Sequence, residues 1–211
     1  MLRYVYGSDL SAHPRLADTM YRDRATQFSD RLGWAVSVDR DGWERDEYDR
    51  LNPLYVIWET PEGRHGGSMR FLPTTGRTMI NDHFLDLTDG VAIRSPFIWE
   101  CTRFCLAPDA GGRIAGALMA GGGELMRAFD VTHFVGVFDQ RMKRIYRMIG
   151  AAPVVLGEAG AGRDRIAVGL WEYDAADRIR VLDRAGITAE QSEHWFERSF
   201  GRPVRQMALT G

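Results

Sequence analysis

The chain has 211 residues, 45% of them hydrophobic and 27% charged, a make-up ordinary for a soluble globular protein and long enough for a substantial core. Its 27 basic residues are offset by 29 acidic ones for a formal net charge of -2, so no nucleic-acid partner is expected. No run of about 18 apolar residues occurs, and Met1 to Asp9 lacks the apolar stretch of a secretory signal, so no membrane insertion is expected and the cytoplasm is the expected compartment.

A first strand is predicted over Leu2 to Tyr6, and Pro14 opens a helix reaching about Asp30. Leu16, Met20 and Phe28 recur on its apolar face at four-residue spacing, and Arg24 falls on the same stripe. Either a carboxylate elsewhere neutralises that guanidinium or its stem lets it reach water. From Arg31 to Pro53 the pattern breaks into a long loop or mobile segment with a charged run, Asp39 to Arg50, interrupted by Trp43 and Tyr48. Leu54 to Trp58 and Gly67 to Leu72 read as paired strands joined through Pro61-Glu62-Gly63, followed by a short helix over Thr78 to Phe84.

Phe97 to Leu106 reads as an aromatic-rich strand, then Gly111-Gly112 and a helix over Arg113 to Phe129, weakened by glycines at 121 to 123. A buried strand over Thr132 to Phe138, a helix over Gln140 to Ile149 closed by Gly150, and a strand over Arg165 to Tyr173 come next. Helices over Ala175 to Ala185 and Ala189 to Phe200 finish the pattern. The order is mixed α/β without internal repeats, and one domain spanning 1–211 is the economical reading.

No metal site is expected, because the five histidines are scattered and the two cysteines, Cys101 and Cys105, lie on one strand roughly 13 Å apart, too far for a disulfide. The run Gly157 to Gly162 reads as a surface turn, since no helix-opening pattern follows it. Gly111-Gly112 is either a plain strand-to-helix turn or a place where backbone N–H groups hold phosphate oxygens. Charged residues interrupt core-like strands at Arg70, Glu100 and Arg103, which points to a cleft or a buried ion network. Asp46 and Asp49, close in sequence to Trp34 and Trp43, are either a solvated run or what a cationic ligand would seek through Coulomb attraction and cation–π contact. A regular strand would turn Glu100 and Arg103 to opposite faces, so a shared cleft requires a bulge nearby.

These residues resemble the acyl-homoserine-lactone synthase (autoinducer synthase) family over roughly Tyr21 to Gly150. The likeness is carried by Arg24-x-x-x-Phe28 followed by Leu32-Gly33-Trp34, by Glu44-x-Asp46-x-Tyr48-Asp49, by Arg70-Phe71-Leu72-Pro73-Thr74-Thr75-Gly76 and by Trp99-Glu100-x-x-Arg103-Phe104. The resemblance implies an α/β fold, a single-domain three-layer αβα sandwich with a mixed, splayed central sheet similar to the GNAT acyltransferases. It implies S-adenosylmethionine as amine substrate and an acyl carrier protein as acyl donor, acyl-coenzyme A being an open alternative. No cofactor is expected, both reactants being substrates.

In the implied reaction Glu100 is the base, directly or through a water, and N–H groups near residues 103 to 106 stabilise the oxyanion. Thr102, where several relatives carry serine, assists, and Arg103 completes the catalytic set. Arg24, Asp46, Asp49 and Arg70 are expected on the substrate-binding side, forming with Arg103 a charged network that orders the segment about 24–53 over the substrate. Phe28 and Trp34 are expected to line the S-adenosylmethionine pocket, and Phe104 and Cys105 are further substrate-binding residues. Val137 and Phe138 are expected in the acyl pocket, and the lack of a threonine there favours an unsubstituted acyl chain. Arg113, Arg141, Lys143, Arg144 and Arg147 form either the carrier-protein dock or a solvated face. A GNAT-type N-acyltransferase using acyl-coenzyme A and another amine is the alternative reading, with a non-catalytic binding relative as a third.

Overall fold

The computed structural model describes residues 1–201. Its strands form one seven-stranded sheet in the order β1-β2-β3-β4-β5-β7-β6. They run Leu2–Tyr6 (β1), Leu54–Glu59 (β2), His65–Pro73 (β3), Ile98–Leu106 (β4), His133–Asp139 (β5), Val154–Ala159 (β6) and Ile166–Glu172 (β7). The helices are Pro14–Ala25 (α1), Met79–His83 (α2), Arg113–Ala128 (α3), Gln140–Ile149 (α4), Ala175–Ala185 (α5) and Ala189–Phe200 (α6). None of the described helices is long and apolar enough to cross a membrane.

Side-chain alternation along the strands builds two cores. Tyr4, Val56, Met69, Phe71 and Phe134 pack with Leu118 and Leu125 of α3 and Phe196 of α6 on one face. Val5, Tyr55 and Ile57 meet Leu16, Met20 and Tyr21 of α1 on the other. Further along that second face, Ile80 of α2 packs with Val135 and Val168. The result is the expected three-layer sandwich.

All neighbouring strands are antiparallel except β4 and β5, which run parallel and pair only at Ile98–His133, Trp99–Phe134 and Glu100–Val135. Beyond that point they part. Gly136 sits at the start of the gap, where a Cβ would lie 2.6 Å from the Cys101 carbonyl oxygen. Only glycine allows so close an approach.

The bulge required by the spacing of Glu100 and Arg103 is present. Ser68 pairs with Cys105 and Arg70 with Thr102, so β4 carries one more residue than β3 across this stretch. Arg103 takes up the difference with φ +53, a left-handed conformation rare for a non-glycine residue. Thr102 and Arg103 therefore reach the α1 side together, while Phe104 turns to the α3 side.

The predicted first helix is α-helical to Ala25 and continues as a π-helical turn, Thr26–Arg31, in which the Leu32 N–H donates to the Gln27 carbonyl. The reading of Gly157 to Gly162 as a turn is corrected. Gly157 to Ala159 end the edge strand β6, and only Gly160 and Gly162 adopt turn conformations. Both cysteines are free thiols.

Candidate active site

Three arginines and three carboxylates close a ring beneath the α1 side of the sheet. Glu44 bridges Arg24 (2.6 Å) and Arg103 (2.9 Å), and Asp46 bridges Arg103 (2.7 Å) and Arg70 (2.5 Å). Asp49 completes the circuit from Arg70 (2.9 Å) to Arg24 (2.9 Å). Arg24, Glu44 and Arg70 are fully buried. Every charge therefore has two opposite neighbours, which compensates the desolvation that an isolated pair would suffer. Burial alone would raise the Asp49 carboxyl, yet Arg24 and Arg70 hold it well below the usual carboxylate range. Asp46 also caps the 3₁₀ turn Glu47–Leu51, its side chain accepting from the N–H groups of Tyr48 and Asp49. Tyr48, buried beneath the ring, donates its hydroxyl to Asp82 of α2 at 2.9 Å.

Glu100 stands at the last β4–β5 pair before the strands separate. Its carboxylate accepts the Met79 N–H at 3.1 Å and the Ile80 N–H at 2.6 Å, the first two donors of α2. Burial lifts the carboxyl to about 7, with these two donors and Arg70 opposing the rise. A carboxyl poised near neutrality can take and return protons. The Met79 sulfur lies 3.6 Å from Arg70 Nη2 and 3.5 Å from Arg103 Nη1, so α2 joins the ring to Glu100.

A cavity of about 710 Å³ runs through the gap between the strands. On the α1 side its wall includes Phe28, Trp34, Met79, Glu100, Thr102 and Arg103. Phe28 and Trp34 stack with 5.2 Å between ring centroids and 6° between planes. The Arg103 guanidinium lies 5.4 Å from the Phe28 ring. On the other side the wall is largely apolar, with Met69, Phe71, Phe104, Met119, Phe134 and Phe138 among its residues.

A sequence profile of the autoinducer synthase family matches residues 8–181. Over 195 residues the chain is 41% identical to an acyl-homoserine-lactone synthase of Rhizobium etli, an overlap covering 89% of this chain and 91% of that protein. The chain belongs to the autoinducer synthase family. It is accordingly an acyltransferase of the acyl-homoserine-lactone synthase class. The fold of this synthase is similar to that of BjaI, a CoA-dependent acyl-homoserine lactone synthase solved with SAM and isopentyl-CoA. The TM-score is 0.79 at 20% identity over 90% of each chain. An acyl-CoA N-acyltransferase from Pseudomonas aeruginosa shares the fold at TM-score 0.54 and 12% identity, covering 82% of the synthase and 99% of that chain.

Of the residues singled out in the sequence, Glu100, Thr102, Arg103, Phe28, Trp34, Phe104, Val137, Phe138 and Arg141 line the cavity of the synthase. Arg24, Asp46, Asp49 and Arg70 do not. With Arg103 and Glu44 they form the ring behind the wall, which is the charged network the resemblance implied. Only the expectation that Arg24, Asp46, Asp49 and Arg70 touch the substrate directly is corrected, because their charges are spent on the ring. Trp43 stacks near Tyr21 and donates to Asp18, away from the cavity. Cys105 is also corrected: the residue pairs with Ser68 beyond the bulge, wholly buried and outside the cavity wall.

Among the expected docking residues, Arg113, Arg144 and Arg147 are exposed; Arg141 is exposed too but lies 3.9 Å from Asp139, and Lys143 is paired with Glu158. Five contributors were not singled out as site residues. Glu44 is the buried bridge of the ring, Met79 and Ile80 supply the donors to Glu100, and Met119 and Trp171 complete the apolar wall. For Glu44 the signal was its place at the head of the acidic motif; for backbone donors no sequence signal exists.

Proposed function

We propose that this synthase transfers an acyl group from the thioester of an acyl carrier protein to the α-amine of S-adenosylmethionine, then closes the lactone with release of 5′-methylthioadenosine. The observation that carries this reading is the Glu100 carboxyl, raised to about 7 at the mouth of the gap between β4 and β5. On the α1 side of that point lies an aromatic and polar chamber, and on the other an apolar one. An adenosyl cation suits the stacked Phe28–Trp34 pair and the neighbouring carboxylate. An acyl chain suits the apolar side.

Glu100, directly or through a water, takes a proton from the ammonium so that the amine lone pair can add to the thioester carbonyl. Backbone N–H groups at the Arg103 bulge and the Thr102 hydroxyl lie on the strand that would face the oxyanion. Collapse of the tetrahedral intermediate forms the amide and expels the thiolate, which is protonated. The methionyl carboxylate then attacks its own γ-carbon. The C–S bond breaks toward sulfur, the positive charge is discharged, and the neutral thioether leaves. The cavity's part in that second step is to hold the substrate folded back.

The ring fixes residues 44 to 49, whereas Gly33, Trp34 and Ala35 are exposed, so within the segment 24–53 the stretch bearing Trp34 is the part that closes over the nucleoside. The exposed Arg141, Arg144 and Arg147 of α4 favour an acidic carrier protein as donor. A coenzyme A thioester is the second reading, favoured by the likeness to BjaI. Both reactants being cytosolic, the reading places the enzyme in the cytoplasm. The test is to incubate the protein with S-adenosylmethionine and either acyl-carrier protein or acyl-coenzyme A, measuring methylthioadenosine and, by mass spectrometry, the lactone. Acylation without methylthioadenosine release, or of a different amine, would support an ordinary N-acyltransferase instead.

A further inference from the structure

The middle of α3 carries Gly121, Gly122 and Gly123 in succession. Glycine weakens a helix interior relative to alanine, so three together need a reason. The helix runs unbroken from Arg113 to Ala128, and the glycines serve no break in it. Gly121 is explained by packing: a Cβ would lie 2.7 Å from Val56 Cγ1 and 3.2 Å from Leu2 Cδ1, where α3 rests on the sheet. The next two have other surroundings. A Cβ at Gly122 would meet ring and methyl atoms of Phe134 (3.3 Å) and Met69 (3.6 Å). At Gly123 it would meet only the Arg178 Cγ, at 3.9 Å. Packing does not demand glycine at 123. What the two positions share is that both form wall of the cavity.

The course of the cavity gives them a role. On α3 its wall runs from Met119 through Ala120, Gly122 and Gly123 to Met126, about 10 Å of helix axis. Facing them on α5 are Asp177, Arg178 and Val181, and the cavity reaches the surface at the exposed Glu172 and Asp174. The Arg178 guanidinium is drawn aside by the fully buried Glu124, with Nε at 3.0 Å from Oε1, which leaves its methylene stem facing Gly123. A second arm of the cavity passes Val137 and continues along Met142, Ile145 and Ala151. That arm is narrowed by an aromatic cluster, Phe138 packing at 5.4 Å from the Tyr146 ring and 5.8 Å from Trp171.

We infer that Gly122 and Gly123 are specificity-determining residues: they hold open a channel between α3 and α5 for the distal part of the acyl chain, so that this synthase takes long acyl thioesters. The inference rests on the acylation reaction proposed above. In this channel the tail lies against Met119, Met126 and the Arg178 stem, and the methyl end points toward solvent at Asp174.

The test is to fill the channel. Gly123→Leu places a branched side chain in the gap with a residue that favours helix. The readout is the ratio of kcat/KM for dodecanoyl and butanoyl thioesters, together with the lactone profile from an equimolar mixture of butanoyl, octanoyl and dodecanoyl donors. Each methylene denied burial lowers kcat/KM roughly fourfold, so excluding two or three lowers the dodecanoyl-to-butanoyl ratio by more than about tenfold. The product profile should move to shorter chains. Gly123→Ala, which strengthens the helix and adds a single methyl, should move the ratio the same way by a smaller factor, and it stands in if the leucine variant does not fold. An unchanged ratio in both variants, or an equal loss with all three donors, overturns the assignment. Absence of methylthioadenosine release by the unaltered protein with every donor would instead sink the reaction on which the inference rests.

Discussion

Proline at position 79 isolates the contribution of α2 to Glu100. Met79 is the first residue of α2, where proline is well tolerated. The preceding Thr78 is extended (φ -143, ψ 152), the backbone that a residue before proline prefers. Met79→Pro therefore removes one N–H, the donor 3.1 Å from Glu100 Oε2, and leaves the Ile80 donor in place. A hydrogen bond to a charged group is worth about 1.5–3 kcal/mol, or about one to two pKa units. That donor stabilises the ionised carboxylate, so its loss raises the Glu100 pKa from about 7 to roughly 8–9. The ionised fraction at neutral pH then falls from about one half to roughly a tenth or less. Because the substitution also removes the thioether near Arg70 and Arg103, Met79→Ala is the reference. The assay is kcat/KM for methylthioadenosine release between about pH 5.5 and 9.5, which reports groups of the free enzyme. The acid limb should have its midpoint near 7 in the parent and the alanine variant and should move up by one to two units in the proline variant. An acid limb that stays in place in the proline variant, or a parent profile flat through neutrality, would refute Glu100 as the titrating base.

Glu100→Gln should lower turnover at least tenfold, read as methylthioadenosine release. It should also flatten the pH dependence of stability. With its folded pKa raised above the ordinary 4.5, Glu100 contributes stability that is full below that value and lost as pH rises through about 7, by about 3 kcal/mol; the parent should thus lose melting temperature between pH 5 and 8 where the variant holds it. Glu44→Gln leaves Arg24 and Arg103 each short of a counter-charge in a dry setting, and denaturant unfolding should register a loss of about 3–5 kcal/mol. Joint reversal of Arg144 and Arg147 to glutamate should raise KM for acyl-carrier protein about tenfold and flatten its salt dependence, with KM for S-adenosylmethionine unmoved.

The sequence carried most of the fold because its periodicities are clean. α5 and α6 begin and end where the pattern places them, and β1 matches residue for residue. The edge strand β6 escaped because Val154-Val155-Leu156 are exposed and do not alternate, and because the glycines that follow suggest a turn from Gly157 onward. Arg24 on the apolar stripe of α1 announced a buried partner, and the odd spacing of Glu100 and Arg103 announced the bulge. The resemblance already separated a charged network of Arg24, Asp46, Asp49, Arg70 and Arg103 from a pocket lined by Phe28 and Trp34. What sequence could not supply was Glu44 as the bridge and which network members reach the cavity. Residues that share a family motif need not share a surface: Arg24, Asp46, Asp49 and Arg70 balance one another behind the wall, while Phe28, Trp34 and Glu100 meet the cavity. That distinction depends on which charges find each other in space.

The short parallel seam between β4 and β5 has a mechanical consequence. Three residue pairs, ending at Glu100–Val135, join one half of the sheet to the other, and nothing in the ladder ties them beyond. Any widening of the cleft to admit a bulky donor or release a product turns about that seam as about a rivet. Displacement grows with distance from the rivet and vanishes at it. Glu100, the base in the proposed reaction, sits on that seam, so the blades would open with little displacement of its carboxyl.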